Sequence, residues 1–141
     1  MTEAEARSRF AAARVARLAT ADADGVPHLV PVVFAVDGDT ILTAVDRKPK
    51  RTTALKRLAN ARANPRVALL TDHYDDDDWD ALWWVRADGT ARVLEPGDAL
   101  ARRAVELLSA RYRQHREAPP EGPVLAVEVQ RWSGWSGRGG R

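Results

Sequence analysis

The apolar residues of this chain come in short, valine-rich segments separated by Asp-Gly turns, and this pattern constrains the fold most. Residues 28–36 form one such segment, and Asp37-Gly38-Asp39 follows it with turn chemistry. Residues 40–45 then complete a predicted hairpin. Pro31 predicts a sheet edge or a bulge in the middle of the first strand, because proline cannot donate a hydrogen bond to a neighbouring strand. Such a hairpin favours a mainly β, antiparallel protein.

The other strand-like segments are equally short. They are residues 15–20, residues 66–71, residues 82–87 with 90–94 as a hairpin around Asp88-Gly89, and residues 124–129. Helical patterns lie between them: Thr2 caps a first helix, Thr52 or Thr53 caps a second that ends near Ala63, and residues 100–108 carry the apolar stripe of a third. Residues 113–122 are predicted to be a loop. The pattern therefore predicts about six antiparallel strands in a small β-barrel with helices at its connections.

A length of 141 residues and a hydrophobic share of 45% fit one globular domain with a modest core. We therefore expect residues 1–141 to form a single domain, with residues 133–141 as a flexible Gly- and Ser-rich tail. No apolar run is long enough to cross a membrane, and the polar, acidic N-terminus lacks the features of a secretory signal. The absence of cysteine excludes disulfides and thiolate metal sites and makes the cytoplasm the default location.

Side chains that could carry out chemistry by themselves are scarce. The three histidines are not spaced for a shared helix face, and no serine has the setting of a nucleophile elbow. The aspartates of residues 75–78 are a weak metal candidate, since such a tract is usually a solvated loop. Neither a dinucleotide-binding glycine motif nor a P-loop is present. The sequence therefore predicts no catalytic side chain and no metal, and it points to chemistry supplied by a bound cofactor.

The most distinctive segment is Arg47-Lys48-Pro49-Lys50-Arg51-Thr52-Thr53, which directly precedes the second predicted helix. Four cations and two hydroxyls meet there at a helix N-terminus, whose free N–H groups favour an anion. Arginine binds phosphate in a bidentate way and lysine adds a mobile charge, so a phosphate-bearing cofactor suits this segment. A solvated basic helix start is an equally good local interpretation. Nucleic acid is disfavoured because the segment has no aromatic residue for stacking and an acidic tract follows it.

Five tryptophans are many for a chain of this length. Trp83 and Trp84 are adjacent on a predicted strand, so one faces inward and the other outward. An outward Trp84 favours a dimer interface or a planar ligand. Trp132 and Trp135 are candidates to cover a ring system or a partner subunit, although a disordered tail would also explain Trp135.

Several segments together resemble the pyridoxamine 5′-phosphate oxidase-like split-barrel superfamily. They are Arg17-Leu18-Ala19-Thr20 with Gly25-Val26-Pro27-His28-Leu29-Val30-Pro31-Val32-Val33-Phe34 as its opening hairpin, Lys48-Pro49-Lys50-Arg51 as its phosphate loop, and Ala63-Asn64-Pro65-Arg66-Val67-Ala68-Leu69-Leu70 as the following strand. Asp78-Trp79 with Leu82-Trp83-Trp84-Val85-Arg86-Ala87-Asp88-Gly89-Thr90-Ala91 is similar to its actinobacterial branch that uses the deazaflavin F420. The order and spacing of these segments carry the resemblance, which is strongest over residues 13–94.

The resemblance implies a six-stranded, homodimeric split barrel with two cofactor sites at the dimer interface. Lys50, Arg51 and Thr52 would hold the cofactor phosphate, with Lys48 close by. The cofactor ring would lie beside second-strand and first-strand residues, namely Pro31, Val32, Val33, Leu18 and Thr20. Trp84 and Trp135 would lie near the ring or the dimer interface.

The same resemblance implies an F420-dependent reductase that transfers hydride to an unidentified small organic acceptor. FMN is the alternative cofactor, and a non-catalytic F420-binding or storage protein is the alternative function. The chain lacks the C-terminal tryptophan-to-Arg-Leu segment with which true pyridoxamine phosphate oxidases help hold their substrate, and it reads Arg131-Trp132-Ser133-Gly134-Trp135 instead. Oxidation of vitamin B6 is therefore not expected.

Overall fold

The computed structural model describes residues 1–45 and 52–138, with side chains described from residue 56 onward in the second range. Its strands form one antiparallel sheet in the order β2-β1-β5-β6-β7-β4-β3. The strands are β1 (Ala16–Ala21), β2 (Pro27–Val32), β3 (Ala35–Asp37), β4 (Thr40–Ala44), β5 (Arg66–His73), β6 (Trp83–Leu94) and β7 (Val124–Ser136). The helices are α1 (Glu3–Ala12), α2 (Thr52–Ala63), α3 (Ala99–Arg111) and α4 (Arg113–Glu117). The prediction of a mainly β, antiparallel architecture with helices at the connections is confirmed.

The sheet is curled because one short segment supplies both of its edge strands. β2 and β3 stand at opposite ends of the strand order, yet only Val33 and Phe34 separate Val32 from Ala35 along the chain. Three virtual Cα–Cα bonds span at most about 11 Å, so the two edges must meet at this corner. The Tyr112 hydroxyl fixes the corner by accepting from the Phe34 N–H at 3.3 Å and donating to the Phe34 carbonyl at 2.9 Å.

The inward face of the curled sheet builds the main core with α1 and α2. Its centre is an aromatic group in which the Phe10 ring lies 4.8 Å from Phe34 and 5.4 Å from Trp132. Leu18 and Val85 pack in the same core and are fully buried. Burial of such side chains contributes roughly 1.5–3 kcal/mol each, so this face accounts for much of the stability of the fold.

The expected hairpin around Asp88-Gly89 is wrong. β6 runs without interruption through Gly89, and Arg66 to His73 of β5 pair with it from Thr90 to Trp83. Gly89 serves close packing here, since a Cβ at this position would lie 2.4 Å from the Glu128 carbonyl oxygen on β7. A bulge in β7 accompanies this contact, because Asp88 is opposite Arg131 whereas Gly89 is opposite Val129.

Three further boundaries also differ from the sequence prediction. The strand predicted over residues 28–36 is broken at Val33-Phe34 into β2 and β3, whereas the two strands predicted over residues 82–94 form the single strand β6, and the described residues contain seven strands where about six were expected. Part of the predicted loop 113–122 forms the short helix α4. The flexible tail predicted from residue 133 is wrong for residues 133–136, because they continue β7 and pair with β6.

None of the helices in the described ranges is both long and apolar enough to span a membrane.

Candidate functional site

The start of α2 lies within two residues of its prediction, because Thr52 is the first helical residue whereas Thr52 or Thr53 was expected to be the cap before it. The helix begins at Thr52, so its N-terminal turn directly follows the basic segment in the chain. Lys48, Lys50 and Arg51 lie outside the described residues, and the side chain of Thr52 is likewise not described. Their assignment to a cofactor phosphate stays a prediction that rests on sequence.

α2 packs on the sheet through a face other than the predicted one. The i, i+3, i+4 spacing of the sequence predicts one face formed by residues 55, 58, 59 and 62. Of these, Ala59 and Arg62 are exposed, whereas Leu58 is buried together with Asn60 and Ala61. Asn60 is buried because its side-chain amide donates to the Thr20 hydroxyl oxygen at 3.0 Å. This bond fixes the helix against the end of β1.

The two residues predicted on β1 both face the interior. Leu18 is fully buried, and Thr20 is 4% exposed, with its hydroxyl oxygen accepting a hydrogen bond from Asn60. The strand alternates, so Arg17 and Ala19 face outward instead. Leu18 and Thr20 could therefore support a ring only from within the core, and their contact with a cofactor stays a prediction.

The three residues predicted at the end of β2 are split between the two faces. Pro31 is exposed and opposite Arg17, whereas Val32 is buried and opposite Ala16. Val33 lies at the corner, where its carbonyl accepts from the Thr43 hydroxyl at 2.8 Å. Pro31 is the member of this group whose side chain is open to a ligand, and its edge position agrees with the sequence prediction.

Trp84 and Trp135 are brought together by the pairing of β6 with β7. They are directly opposite each other in the register, and each remains more than a third exposed. Trp83 points the other way, between the Arg9 guanidinium at 5.2 Å and the His73 ring at 6.4 Å. The predicted inward and outward orientations of this tryptophan pair agree with the structure.

These outward residues belong to one continuous surface, which we call the outer sheet face. It is the solvent side of five neighbouring strands. Its members are Leu29 and Pro31 on β2, Arg17 and Ala19 on β1, Ala68, Leu70 and Asp72 on β5, Trp84, Arg86 and Asp88 on β6, and Arg131, Ser133 and Trp135 on β7.

Pro31 and the Trp84–Trp135 pair are far apart on the outer sheet face. β1 and β5 lie between β2 and β6, and neighbouring strands are about 4.8 Å apart. The separation across the strands is therefore roughly 14 Å, and Trp84 is in addition two residues along β6 from Arg86, the residue level with Pro31, so one ring lying on one subunit does not reach both places. Large apolar side chains are nevertheless exposed at both places, with Leu29 at 67%. Exposed apolar side chains grouped in this way are a feature of interaction surfaces.

The acidic residues between Asp72 and Asp80 are used mostly within their own loop. The Asp75 and Asp78 carboxylates accept from the backbone N–H groups of Asp77 and Asp80, and the Asp76 carboxylate accepts from the Tyr74 hydroxyl. Arg138 forms an ion pair with Asp78 at 3.0 Å. No group of three or more potential ligands among residues 1–45 and 52–138 has the arrangement of a metal site. These contacts explain the tract as turn capping.

Asp39, outside this acidic tract, forms hydrogen bonds with one core residue and one surface residue. Its carboxylate accepts from the Trp132 indole N–H at 3.0 Å and from Arg7 at 3.1 Å. These two hydrogen bonds, that from Trp132 first, hold the pKa of Asp39 below its ordinary value of 3.8. The sequence placed Trp132 near a ring or partner, but it is 6% exposed and belongs to the core.

The comparison with known families decides which fold this is. The family model described as pyridoxamine 5′-phosphate oxidase matches residues 2–136. The chain belongs to this family. The expected split-barrel fold is thereby confirmed, whereas the F420-dependent branch suggested by the sequence is not tested by this match.

Solved structures agree with this assignment to the pyridoxamine 5′-phosphate oxidase family. A conserved hypothetical protein from Mycobacterium tuberculosis is 26% identical with a TM-score of 0.75, and the match covers 98% of this chain and 86% of that one. An FAD-binding protein from Mesorhizobium loti is 25% identical with a TM-score of 0.71, covering 95% and 92%. The heme storage protein HutZ from Vibrio cholerae is 15% identical with a TM-score of 0.70, covering 96% and 95%, and shares the fold alone. No curated protein matches the chain significantly.

Proposed function

We propose that this member of the pyridoxamine 5′-phosphate oxidase family is an F420-dependent reductase that transfers hydride to a small organic acceptor. The observation that carries the proposal is the start of α2 at Thr52, immediately after four cations, on a barrel of this family. A helix N-terminus preceded by arginine and lysine is a good phosphate site. In this proposal Lys50, Arg51 and Thr52 hold the cofactor phosphate, with Lys48 beside them.

The cofactor ring is proposed to lie between two subunits. Pro31 and Trp84 are separated by roughly 14 Å across the strands of one outer sheet face, so residues from both places can line one ring only if a second subunit brings them together. Apposition of two outer sheet faces would also cover Leu29, Leu70 and the Trp84–Trp135 pair. A homodimer with two interfacial sites therefore accounts for the exposed apolar surface.

The bound deazaflavin would supply the hydride chemistry, and the residues of this chain would bind and orient it. Apolar side chains at the interface would exclude water from the ring and hold the acceptor against it. The outer sheet face offers such side chains in Pro31, Leu70 and Trp84. This division of labour agrees with the absence of a catalytic side chain from the sequence prediction. The cytoplasm stays the predicted location.

FMN is the alternative cofactor, and the Mesorhizobium loti relative, described as FAD-binding, supports a flavin in general. The alternative function is storage or buffering of F420 without turnover. Both alternatives use the same phosphate contacts, so the local chemistry of the basic segment does not separate them from the main proposal.

Titration of purified protein with F420 and FMN, followed by quenching of tryptophan fluorescence, tests the cofactor. We expect F420 to bind more tightly, and we expect Lys50→Ala with Arg51→Ala to weaken it by about 100-fold, roughly tenfold for each lost charged contact. Arg113→Ala is the matched control, because Arg113 lies on α4 and pairs with nearby Glu117 within the described residues. Tighter binding of FMN would overturn the choice of cofactor.

Turnover is tested separately. When the protein is loaded with reduced F420, at least one compound in a panel of quinones, enones and nitro compounds should oxidise the bound cofactor. Tight F420 binding with no reoxidation across the panel would favour the storage function instead.

A further inference from the structure

Arg57 occupies an unusual place on α2. Successive residues of a helix are 100° apart, so the buried residues Leu58, Asn60 and Ala61 define an arc that has Arg57 near its centre. Lys56 and Ala59, outside this arc, are exposed. Arg57 is accordingly half-buried and directed toward the sheet, a position usually taken by an apolar side chain.

The guanidinium of Arg57 has no counter-charge among the described residues. Arg62, five residues later on the same helix, pairs with Glu95 at 3.7 Å, whereas Arg57 makes neither an ion pair nor a hydrogen bond within residues 1–45 and 56–138. Burial lowers the pKa of Arg57, and no carboxylate in the part of the chain that the structure describes opposes this effect. An unpaired cation in this position costs free energy that a bound anion would recover.

A second unsatisfied group lies nearby. Asn60 contacts Thr20 at 3.0 Å, and Thr20 on β1 is directly opposite His28 on β2, so both side chains lie on the α2 side of the sheet. The His28 Nδ1 atom is buried and has no hydrogen-bond partner among the described residues. Sequence reasoning treated His28 as an ordinary surface residue, but its side chain lies on the same side of the sheet as Thr20, and Arg57 lies three residues before Asn60 on the helix face that contacts Thr20.

We propose that Arg57 and His28 form an anion subsite between α2 and the β1–β2 hairpin, which binds a second anionic group of the cofactor. This inference rests on the proposed function, in which the basic segment binds the first one. Arg57 would donate to the anion through its guanidinium, and His28 would donate through its Nδ1–H. FMN has a single phosphate and would leave the subsite empty. The carboxylates of the F420 glutamate tail or the second phosphate of FAD would fill it.

Affinities for F420, FAD and FMN, measured for wild type, Arg57→Met and Arg62→Met, test the proposal. We expect Arg57→Met to weaken binding of a cofactor with two anionic groups by about tenfold or more and to change FMN affinity less than about twofold. Arg62→Met, the matched control on the same helix, should leave all three affinities within about twofold. If Arg57→Met weakens F420 binding more than FAD binding, the subsite holds a carboxylate. If it weakens FAD binding more, the subsite holds a phosphate.

If Arg57→Met weakened FMN binding as much as F420 or FAD binding, the proposal would be overturned, because Arg57 would then contact the phosphate that all three cofactors share or would stabilise the fold. Unchanged affinities for all three cofactors would also overturn it.

A measurement without cofactor separates this inference from the proposed function. Inorganic pyrophosphate and glutarate are titrated into ¹⁵N-labelled protein while the Arg57 Nε–H and His28 imidazole resonances are followed. We expect both resonances to shift in wild type and the His28 response to be lost in Arg57→Met. If no flavin or deazaflavin binds but these shifts occur, the subsite stands and the proposed function fails. If neither resonance responds to either anion, the subsite is refuted, whatever the variant does to folding.

Discussion

The two faces of the sheet contain similar side chains but differ in what surrounds them. Trp132 and Trp135 are three residues apart on β7, and the first packs against Phe10 in the core while the second stands beside Trp84 in solvent. Packing within one subunit explains the inward face completely. It gives no reason for large apolar residues on the outer sheet face. The inward face therefore determines the fold, and the outer sheet face is where function and assembly should be sought.

The largest expected effect lies on the inward face. Trp132→Ala removes a buried indole and its hydrogen bond to Asp39, and it should lower the free energy of unfolding by about 3–5 kcal/mol. Urea denaturation of Trp132→Ala and Trp135→Ala measures this difference directly. Trp135→Ala, on the outer sheet face, should cost about 1 kcal/mol or less under conditions where the protein is monomeric. Similar losses in the two variants would break the distinction between the faces.

The next effect concerns assembly. Trp84→Ala should weaken the proposed homodimer by about 2 kcal/mol, or roughly 30-fold in its dissociation constant, because tryptophans at the centre of an interface contribute disproportionately. Analytical ultracentrifugation over a range of concentrations measures the change. Trp79→Ala is the control, since Trp79 is exposed but lies on a turn before β6 and outside the outer sheet face. A wild-type protein that stays monomeric at all concentrations would contradict the proposed interface.

A smaller effect is expected where α2 meets β1. Asn60→Ala removes the donor to the Thr20 hydroxyl and should destabilise the fold by about 1–2 kcal/mol. Thr20→Val should recover part of this loss in the double variant, because no buried hydroxyl then remains without its partner. A double-mutant cycle with thermal denaturation measures the coupling. Strictly additive single-variant effects would show that the contact contributes nothing of its own.

The smallest effect depends on pH. Because Asp39 has a lowered pKa, its ionised form contributes stability that is present above pH 3.8 and is lost as pH falls through the folded-state pKa. Asp39→Asn should therefore have a slightly lower Tm than wild type at pH 7, and the difference should close below pH 3.8. Thermal melts of both proteins across this interval follow the change. A Tm difference between the two proteins that stays constant down to pH 2 would mean that the charge of Asp39 does not contribute to stability.

Local signals predicted most of the fold. The capping residue Thr2 accepts from the Glu5 N–H as expected, and the bounds of β1, β4 and α2 were close to those observed. The failures came from tertiary contacts that local signals do not contain. Asp88-Gly89 is a strong turn signal, but Gly89 is there because the Glu128 carbonyl approaches it closely. Residues 133–136 have the composition of a linker, and their pairing with β6 orders them.

The candidate site was predictable only in part. Strand alternation in residues 15–20 already indicated that Leu18 and Thr20 share a face, but it could not reveal that Thr20 is buried, because that depends on Asn60 forty residues away. The helical wheel of α2 does place Arg57 beside Leu58 and Ala61, and this signal was available in the sequence. The missing partner of His28 Nδ1 could be recognised only after β2 was placed against β1.

The position of β7 also governs the order of folding. It lies between β6 and β4, so β4 and β3 have no strand to join them to the rest of the sheet until β7 arrives. Thr40 of β4 pairs with Glu128, a loop closure across most of the chain, and such distant contacts slow the search for the native state. We therefore expect the nascent chain to keep an open sheet until β7 has left the ribosome, an interval in which a chaperone could shield the exposed strands.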